Sequence, residues 1–471
     1  MNHRDDRSTR REFLTHEMGV AAAAATLLTG AEAKAAPKAG ARVLGANDRI
    51  NVAFIGNGMQ FLTLIEMFKN RQKQKNDVHL AAVCDVWEPR LKYAQEQSGA
   101  EKTYRDYREV LQRSDIDGVV LAVPDHWHCK MASEALEAGK DVYLEKPMTR
   151  TLEEAAKIHA LVERTKRILQ LGGTGPATRL NWRINEYIKA GKLGKILRGL
   201  ISYNRNTREG MWDYPIPGVG SDHWPDAKFT RDNVDWDMWL GPAPKRRLSA
   251  ERYFRWRKFW DYSTGNAGDL LYHRLGTMCT MLGFDFPTRA VGVGGVYVQK
   301  NREVPDTYMT MIEYPGDYTI NMVSCMANAT SVPITVYGNW GTLQVLEGQA
   351  AMDAMGDQRK APAEAAQRRP RAVAVVRPER TFLNEFKEAN SGNGEVTIEP
   401  EPGPNLVEDW LDSMRSRQPP VYNSLRGYQV MVAIALGVES YRKGKVMAFD
   451  PARQTVVSAA GPHKEYPPAE A

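Results

Sequence analysis

Between Ile50 and Pro147 the chain alternates short apolar runs with amphipathic segments, and this alternation restricts the fold more than any other feature. The run Ile50 to Ile55 leads through Gly56-Asn57-Gly58 and Met59-Gln60 into a helix predicted over Leu62 to Lys69, with Asn70 to Asn76 read as loop or helix end. Val78 to Cys84 is the second run and closes on Asp85, before helices predicted over Glu88 to Ser98 and Tyr104 to Arg113. Asp117 to Val123 is almost continuously apolar, as strands covered on both faces are. It stops at Pro124-Asp125-His126-Trp127-His128, ahead of a helix over Cys129 to Ala138. Asp141 to Leu144 closes on Glu145-Lys146-Pro147, Thr151 is placed to cap one more helix, and Arg167 to Leu171 is the last run. Apolar strand, helix, apolar strand is the signature of a Rossmann-like doubly wound parallel sheet, which binds ligands at the carboxyl ends of its strands.

After Gly172 the period changes. A helix is expected over Asn181 to Ala190, and two-residue alternation marks Lys195 to Asn204, Ala290 to Val298, Thr307 to Tyr314, Tyr318 to Cys325 and Ile334 to Val345. Pro315-Gly316-Asp317 and Gly338-Asn339-Trp340-Gly341 stand where hairpin turns would join neighbours, so the second domain is read as α+β with a large, mainly antiparallel open sheet. The resulting division is 49–172 for the nucleotide-binding domain, 173–450 for the second domain and 451–471 for a tail. Two insertions interrupt the second domain. Residues 205–262 are rich in Trp, Pro and Asp and are read as an ordered loop over a site, whereas 347–404, rich in Ala, Arg, Glu and Pro, are read as a mobile or partner-facing excursion. Amphipathic helices are expected over Asn405 to Arg415 and Ser424 to Arg442.

The first 35 residues stand apart. Arg10-Arg11-Glu12-Phe13-Leu14 precedes a mild apolar run and small residues at Ala31, Ala33 and Ala35, the pattern of a twin-arginine export signal with its cleavage region, and 36–48 read as a linker. The expectation is a periplasmic or otherwise exported protein, carried folded by the twin-arginine machinery. Its apolar run is short for a bilayer span, so no stable membrane span is expected, with an uncleaved anchor as the alternative. With 63 basic against 57 acidic residues spread along the chain, the small positive excess reads as a solvated surface and not as a nucleic-acid stripe. Cys84, Cys129, Cys279 and Cys325 are far apart and lack metal-ligand spacing, so neither a required disulfide nor a structural zinc is expected.

The chemistry-bearing residues fall at the ends of the predicted strands. Gly56-x-Gly58 lets backbone approach a pyrophosphate, which then sits on the following helix N-terminus; Phe61 replaces the third glycine of the usual fingerprint. Asp85, closing the second strand, is placed to accept ribose hydroxyls and would repel a 2′-phosphate, which favours NAD over NADP. Lys146 at a strand end can bind the hydroxyl that loses a hydride and stabilise the charge that develops. Asp269 and His273 are spaced i, i+4, so one helix face could carry His273 as proton acceptor and Asp269 as the group that orients a substrate hydroxyl; a capping Asp and a core His fit the spacing equally well. Asp125, His126 and His128 lack a further convergent ligand and suit the lining of a nicotinamide pocket better than a metal site.

Together, Gly56-x-Gly58, Asp85, Pro124 to His128, Glu145-Lys146-Pro147 and Gly268-Asp269-x-x-x-His273 come in the order of the Gfo/Idh/MocA oxidoreductases, which the chain resembles from Ile50 to about Asp450. Trp239-Leu240-Gly241-Pro242-Ala243-Pro244 is similar to the exported bacterial branch. The resemblance implies a pyridine nucleotide at the junction of two domains, a C-terminal sheet used for homo-oligomers, and Lys146, Asp269 and His273 as catalytic group with His273 the acid/base. It also implies cofactor contacts from Gly56, Asn57, Gly58, Met59, Gln60, Asp85, Pro124, His126, His128, Glu145, Lys146 and Arg257. Leu271, Tyr272 and Gly276 depart from common relatives near the substrate. The expected activity is oxidation of a secondary hydroxyl of a sugar, polyol or glycoside with tightly bound NAD. The alternative is glycoside cleavage by C3 oxidation, elimination and re-reduction, which needs a further base such as His126, Tyr272 or a residue of 205–262. An intact Lys146, Asp269 and His273 set argues against a carbohydrate-binding member without turnover.

Overall fold

The computed structural model describes residues 49–173, 175–216, 227–346 and 372–458. The export signal and linker expected in 1–48, residues 347–371 of the second insertion and the end of the tail lie outside the described residues.

Six strands form the first sheet: β1 (Ile50–Ile55), β2 (Val78–Cys84), β3 (Lys102–Tyr104), β4 (Gly118–Leu121), β5 (Asp141–Leu144) and β6 (Leu169–Leu171). Their order is β3-β2-β1-β4-β5-β6, every neighbouring pair is parallel, and the chain reverses direction of winding between β1 and β4. Helices cover both faces, so β4 and β5 are buried along their whole length, as their apolar sequences require. The helix after β1 runs from Met59 to Lys75, so the stretch expected to be loop or helix end is its helical end. Its polar end is held because Arg71, only 4% exposed, pairs with Asp77 at 2.6 Å and with Asp412 at 2.9 Å. Similarly, the helix before β5 begins at Asp125, not Cys129, and takes the Asp-His-Trp-His motif into its first turn.

The second sheet has ten strands: β7 (Ile196–Ser202), β8 (Arg289–Gly295), β9 (Thr307–Tyr314), β10 (Tyr318–Cys325), β11 (Ile334–Gly338), β12 (Gly341–Leu346), β13 (Val373–Pro378), β14 (Val396–Ile398), β15 (Met447–Asp450) and β16 (Thr455–Val457). Its order is β14-β13-β12-β11-β7-β10-β9-β8-β15-β16. All pairs are antiparallel except β7 with β10, so the sheet is mixed and mainly antiparallel. Both expected hairpins are present, at 315–317 between β9 and β10 and at 339–340 between β11 and β12. The reading of 347–404 as an excursion is corrected for its described part: β13 and β14 extend the sheet edge, and Phe386 of the helix Leu383–Ala389 is fully buried on it. Part of the tail, Thr455–Val457, is also a strand.

Two late helices return to the first sheet. On Leu406–Ser416, Trp410 packs edge-on to Phe68 and Tyr143, over Gly118, where a Cβ would lie 2.9 Å from the indole. On Ser424–Lys443, a mostly buried helix packs against Leu152–Thr165 on one side and β8 on the other. No described helix is long and apolar enough to cross a membrane.

Candidate active site

The turn after β1 is built for close approach. Gly56 has φ +84, and a Cβ there would meet Ala122 O at 2.7 Å and the Val123 side chain at 2.6 Å, so only glycine fits. The helix that follows is entered at Gly58 with no side-chain cap, which leaves first-turn N–H groups for an anion. A Cβ on Gly58 would find nothing nearer than Arg90 at 3.8 Å, so there is room in front of them. Phe61 fills the place of the missing glycine by packing edge-on to Phe54, 5.3 Å between centroids. Met59 stands exposed at the mouth. Asp85 is 6% exposed: its Oδ2 accepts from Asn57 N–H at 2.7 Å, and its Oδ1 from Trp87 N–H at 2.9 Å and the Tyr253 hydroxyl at 3.5 Å. Burial raises its pKa, with Arg90 opposing. Oδ2, with a single donor, retains acceptor capacity for a ribose hydroxyl. Glu145, buried beside Gly172, accepts from Gln60 Nε2 at 2.9 Å and ties the helix start to the end of β5. The cradle fits a dinucleotide.

At the other end of this edge, Lys146 Nζ donates to Asp269 Oδ1 at 2.8 Å and to the Asp269 carbonyl at 2.7 Å. Arg257 Nε donates to the same Oδ1 at 2.9 Å, and Trp212 Nε1 to Oδ2 at 3.2 Å. Burial alone would raise the Asp269 pKa, but Arg257 and then Lys146 outweigh it and hold the carboxyl far below the ordinary range. Asp269 is therefore a fixed anion that aims cations, and it cannot serve as the base. It lies in a π-helical turn, Ala267–Leu271, that runs into the helix Tyr272–Leu282, so the i, i+4 spacing is not that of a regular α-helix. His273 is half-buried, its ring 6.3 Å from that of Tyr203. Burial, followed by Lys146, pushes its pKa well below the usual histidine value, which leaves a neutral ring able to take a proton.

The residues of the Asp-His-Trp-His motif part company. His128 contacts Pro147 O at 2.6 Å and Val123 O at 2.9 Å, clamping the carboxyl ends of β4 and β5; burial takes its pKa down to about 4, so the neutral ring donates to one carbonyl. His126 points into an aromatic cluster, between the rings of Trp239 at 5.3 Å and Tyr262 at 5.0 Å, with Nε2 3.0 Å from Trp239 O. Its pKa, down to about 3 through burial, is that of a packed imidazole. Asp125 is the third outcome. It is 2% exposed, its Oδ2 has no partner among the described residues, and its pKa is pushed up to about 7 by burial, against Arg257 and with Asp269 adding. Pro124 is the N-cap residue of their helix. Tyr272 is fully buried with its hydroxyl 3.5 Å from Gly427 O. No group of three or more His, Cys, Asp or Glu is placed to hold a metal among the described residues.

The described part of insertion 205–262 supplies the cover. It joins the first domain through a bridge between Trp87 and Val234 and through Asp235 N–H to Val86 O at 2.9 Å, and its Trp239 carbonyl accepts from Trp127 Nε1 at 2.8 Å. Sequence reasoning did not single out Trp212, Tyr253 or Asp125 as an acid; aromatic richness was the only signal for the first two. Trp212 has φ +69, a costly conformation for a bulky residue. It is held by the next residue, Asp213, which pairs with fully buried Lys258 at 2.7 Å, and by Arg302 Nη2 on Met211 O at 2.6 Å.

Residues 50–173 match the Gfo/Idh/MocA description "Oxidoreductase family, NAD-binding Rossmann fold", and 182–315 match its "C-terminal alpha/beta domain". An alpha-N-acetylgalactosaminidase of Shewanella oneidensis is 28% identical over 288 residues, 52% of this chain and 61% of that protein. A glycosyl hydrolase family 109 protein of Shewanella baltica is 30% identical over 188 residues, 37% of this chain and 40% of that protein. The chain thus spans about two fifths to three fifths of the curated relatives it matches. Among solved structures, levoglucosan dehydrogenase with NADH (18% identity, TM-score 0.59, 85% of this chain and 98% of that one) shares the fold. So does the WlbA dehydrogenase of Bordetella pertussis with NADH and UDP-GlcNAcA (15%, 0.59, 85% and 99%). The chain belongs to the Gfo/Idh/MocA family of oxidoreductases, and its first domain is that family's NAD-binding Rossmann fold.

Proposed function

We propose that the protein oxidises a secondary hydroxyl of a sugar, polyol or glycoside with tightly bound NAD. The carrying observation is the Lys146–Asp269–Arg257 group at the carboxyl edge of the first sheet, beside a neutral His273. Bound along Gly56 to Gly58, Asp85 and Glu145, NAD supplies the hydride acceptor. Lys146 has three N–H protons and spends two on Asp269, so the third is free for the substrate oxygen, where it stabilises the alkoxide-like charge. Asp269 keeps that ammonium directed, and a ring nitrogen of His273 takes the hydroxyl proton. The insertion, pinned at the ends of β2 and β4, excludes water and slows cofactor escape.

A second reading, redox-neutral glycoside cleavage, is supported by two observations. The relatives named above are glycosidases, and Asp125 is a buried acid with a pKa of about 7, able to give up and regain a proton at neutral pH. In that cycle C3 is oxidised, the proton on C2 leaves with the C1 aglycone, water adds back, and C3 is reduced. Purified protein would be screened for NADH with free sugars and for aryl alcohol with aryl glycosides. Net NADH selects the first reading, aryl alcohol without net NADH the second, and neither product rejects both.

The proposal extends to setting. Arg10-Arg11 and the alanine-rich run after them support twin-arginine export of folded, NAD-loaded protein. On the outer sheet face, exposed Val293, Met309 and Met311 lie side by side on paired strands, which supports a homo-oligomer formed through that face.

A further inference from the structure

Among the described residues, Arg205 is a cation without a counter-ion. Its guanidinium lies over the Tyr203 ring, 4.8 Å from the centroid, and its Nη2 donates to the Tyr203 hydroxyl. Its Nε is buried with no partner, and it forms no ion pair among the described residues. Arg274 covers the same ring at 5.2 Å, and that ring stands edge-on to His273 at 6.3 Å. Both guanidiniums act on His273, depressing its pKa alongside burial and Lys146. Lys146 and Arg257 already share Asp269, while the charges acting foremost on Asp125 and Glu145 are Arg257 and Lys146 respectively. Among the described residues, Arg205 thus stands beside the acid/base with no carboxylate of its own. A guanidinium half-withdrawn from water and given no protein anion is expensive unless the ligand brings one. A guanidinium matches the paired oxygens of a carboxylate or of a tetrahedral oxyanion.

We infer that the substrate sugar carries an anionic oxygen group, a carboxylate or a sulfate ester, and that Arg205, backed by Tyr203 and Arg274, receives it next to His273. This rests on the oxidoreductase reading for the reaction but not for the binding.

The test uses full-length, NAD-loaded protein and matched ligand pairs: a hexose against its hexuronate, and against its sulfate ester. Calorimetric affinity and, where turnover occurs, kcat/KM are measured for each. An advantage of about tenfold or more for one anionic partner is expected, and the better of the two identifies the group. In Arg205→Gln the anionic-to-neutral ratio should fall towards one, and Arg205→Lys should restore part of it. Equal or better binding of the neutral sugars, or a ratio that survives Arg205→Gln, overturns the inference. If no sugar reduces NAD, the oxidoreductase reading falls while the affinity ratio still decides this one.

Discussion

Asp269 receives donors from three residues: Lys146 at the end of β5, and Trp212 and Arg257 from the insertion. Removing Lys146 leaves the anion held by the other two but takes away the group that meets the developing charge. Lys146→Ala should therefore lower kcat by about 10²–10³-fold in steady-state assays while bound NAD persists, and undiminished turnover would rule out its role. His273→Ala should cost about 10²–10⁴-fold. Because the His273 pKa is depressed, the acid limb of kcat/KM in the parent enzyme should fall below the usual histidine value; a limb centred above pH 7 would reject it as the base. Asp125 gives a stability signature of opposite sign to an ordinary ion pair. Its folded pKa of about 7 lies above the unfolded one, so stability is lost as pH rises through the window between them and stays lost above it. Asp125→Asn, which cannot ionise, should raise stability at pH 8 by about 2–4 kcal/mol and by less at pH 5. Thermal melts at the two pH values check this, and a pH-independent gain would contradict it.

At the scale of elements, what could be read from sequence was what burial writes into composition. Strands β1, β2, β4 and β5 are apolar because both faces are covered, and the residues ending them, Gly56, Asp85 and Lys146, were legible for that reason. Over Asn70 to Lys75 the sequence left loop and helix end open, since the acid that completes burial of Arg71 comes from position 412. Strands β13 and β14 were missed because they are short, lie at the sheet edge and are bracketed by charged, Pro-rich sequence that looks like an excursion. Trp212 and Tyr253 were illegible because an irregular insertion has no period to read; only contact with Asp269 and Asp85 gives them meaning. The late helix Leu406–Ser416 makes its own prediction. Trp410 has no exposed surface and plugs the space over Gly118, so Trp410→Ala should cost about 3–5 kcal/mol in denaturant unfolding. A cost below about 1 kcal/mol would mean the helix contributes little.

For the whole molecule, two parts act as one because Ser424–Lys443 packs on both sheets. The exposed patch on the second sheet sets the expected assembly. A charge placed among Val293, Met309 and Met311, as in Met311→Glu, should shift light-scattering mass towards the monomer. An unchanged mass would place any oligomer contact elsewhere.

The return of Trp410 and Asp412 to the first sheet also fixes an order of events in synthesis. The nucleotide-binding strands emerge first from the ribosome, yet Gly118 stays uncovered and Arg71 half-paired until some three hundred residues later. Contacts this distant along the chain are slow to form. The first domain is thus translated before the second and yet completed by residues that follow it.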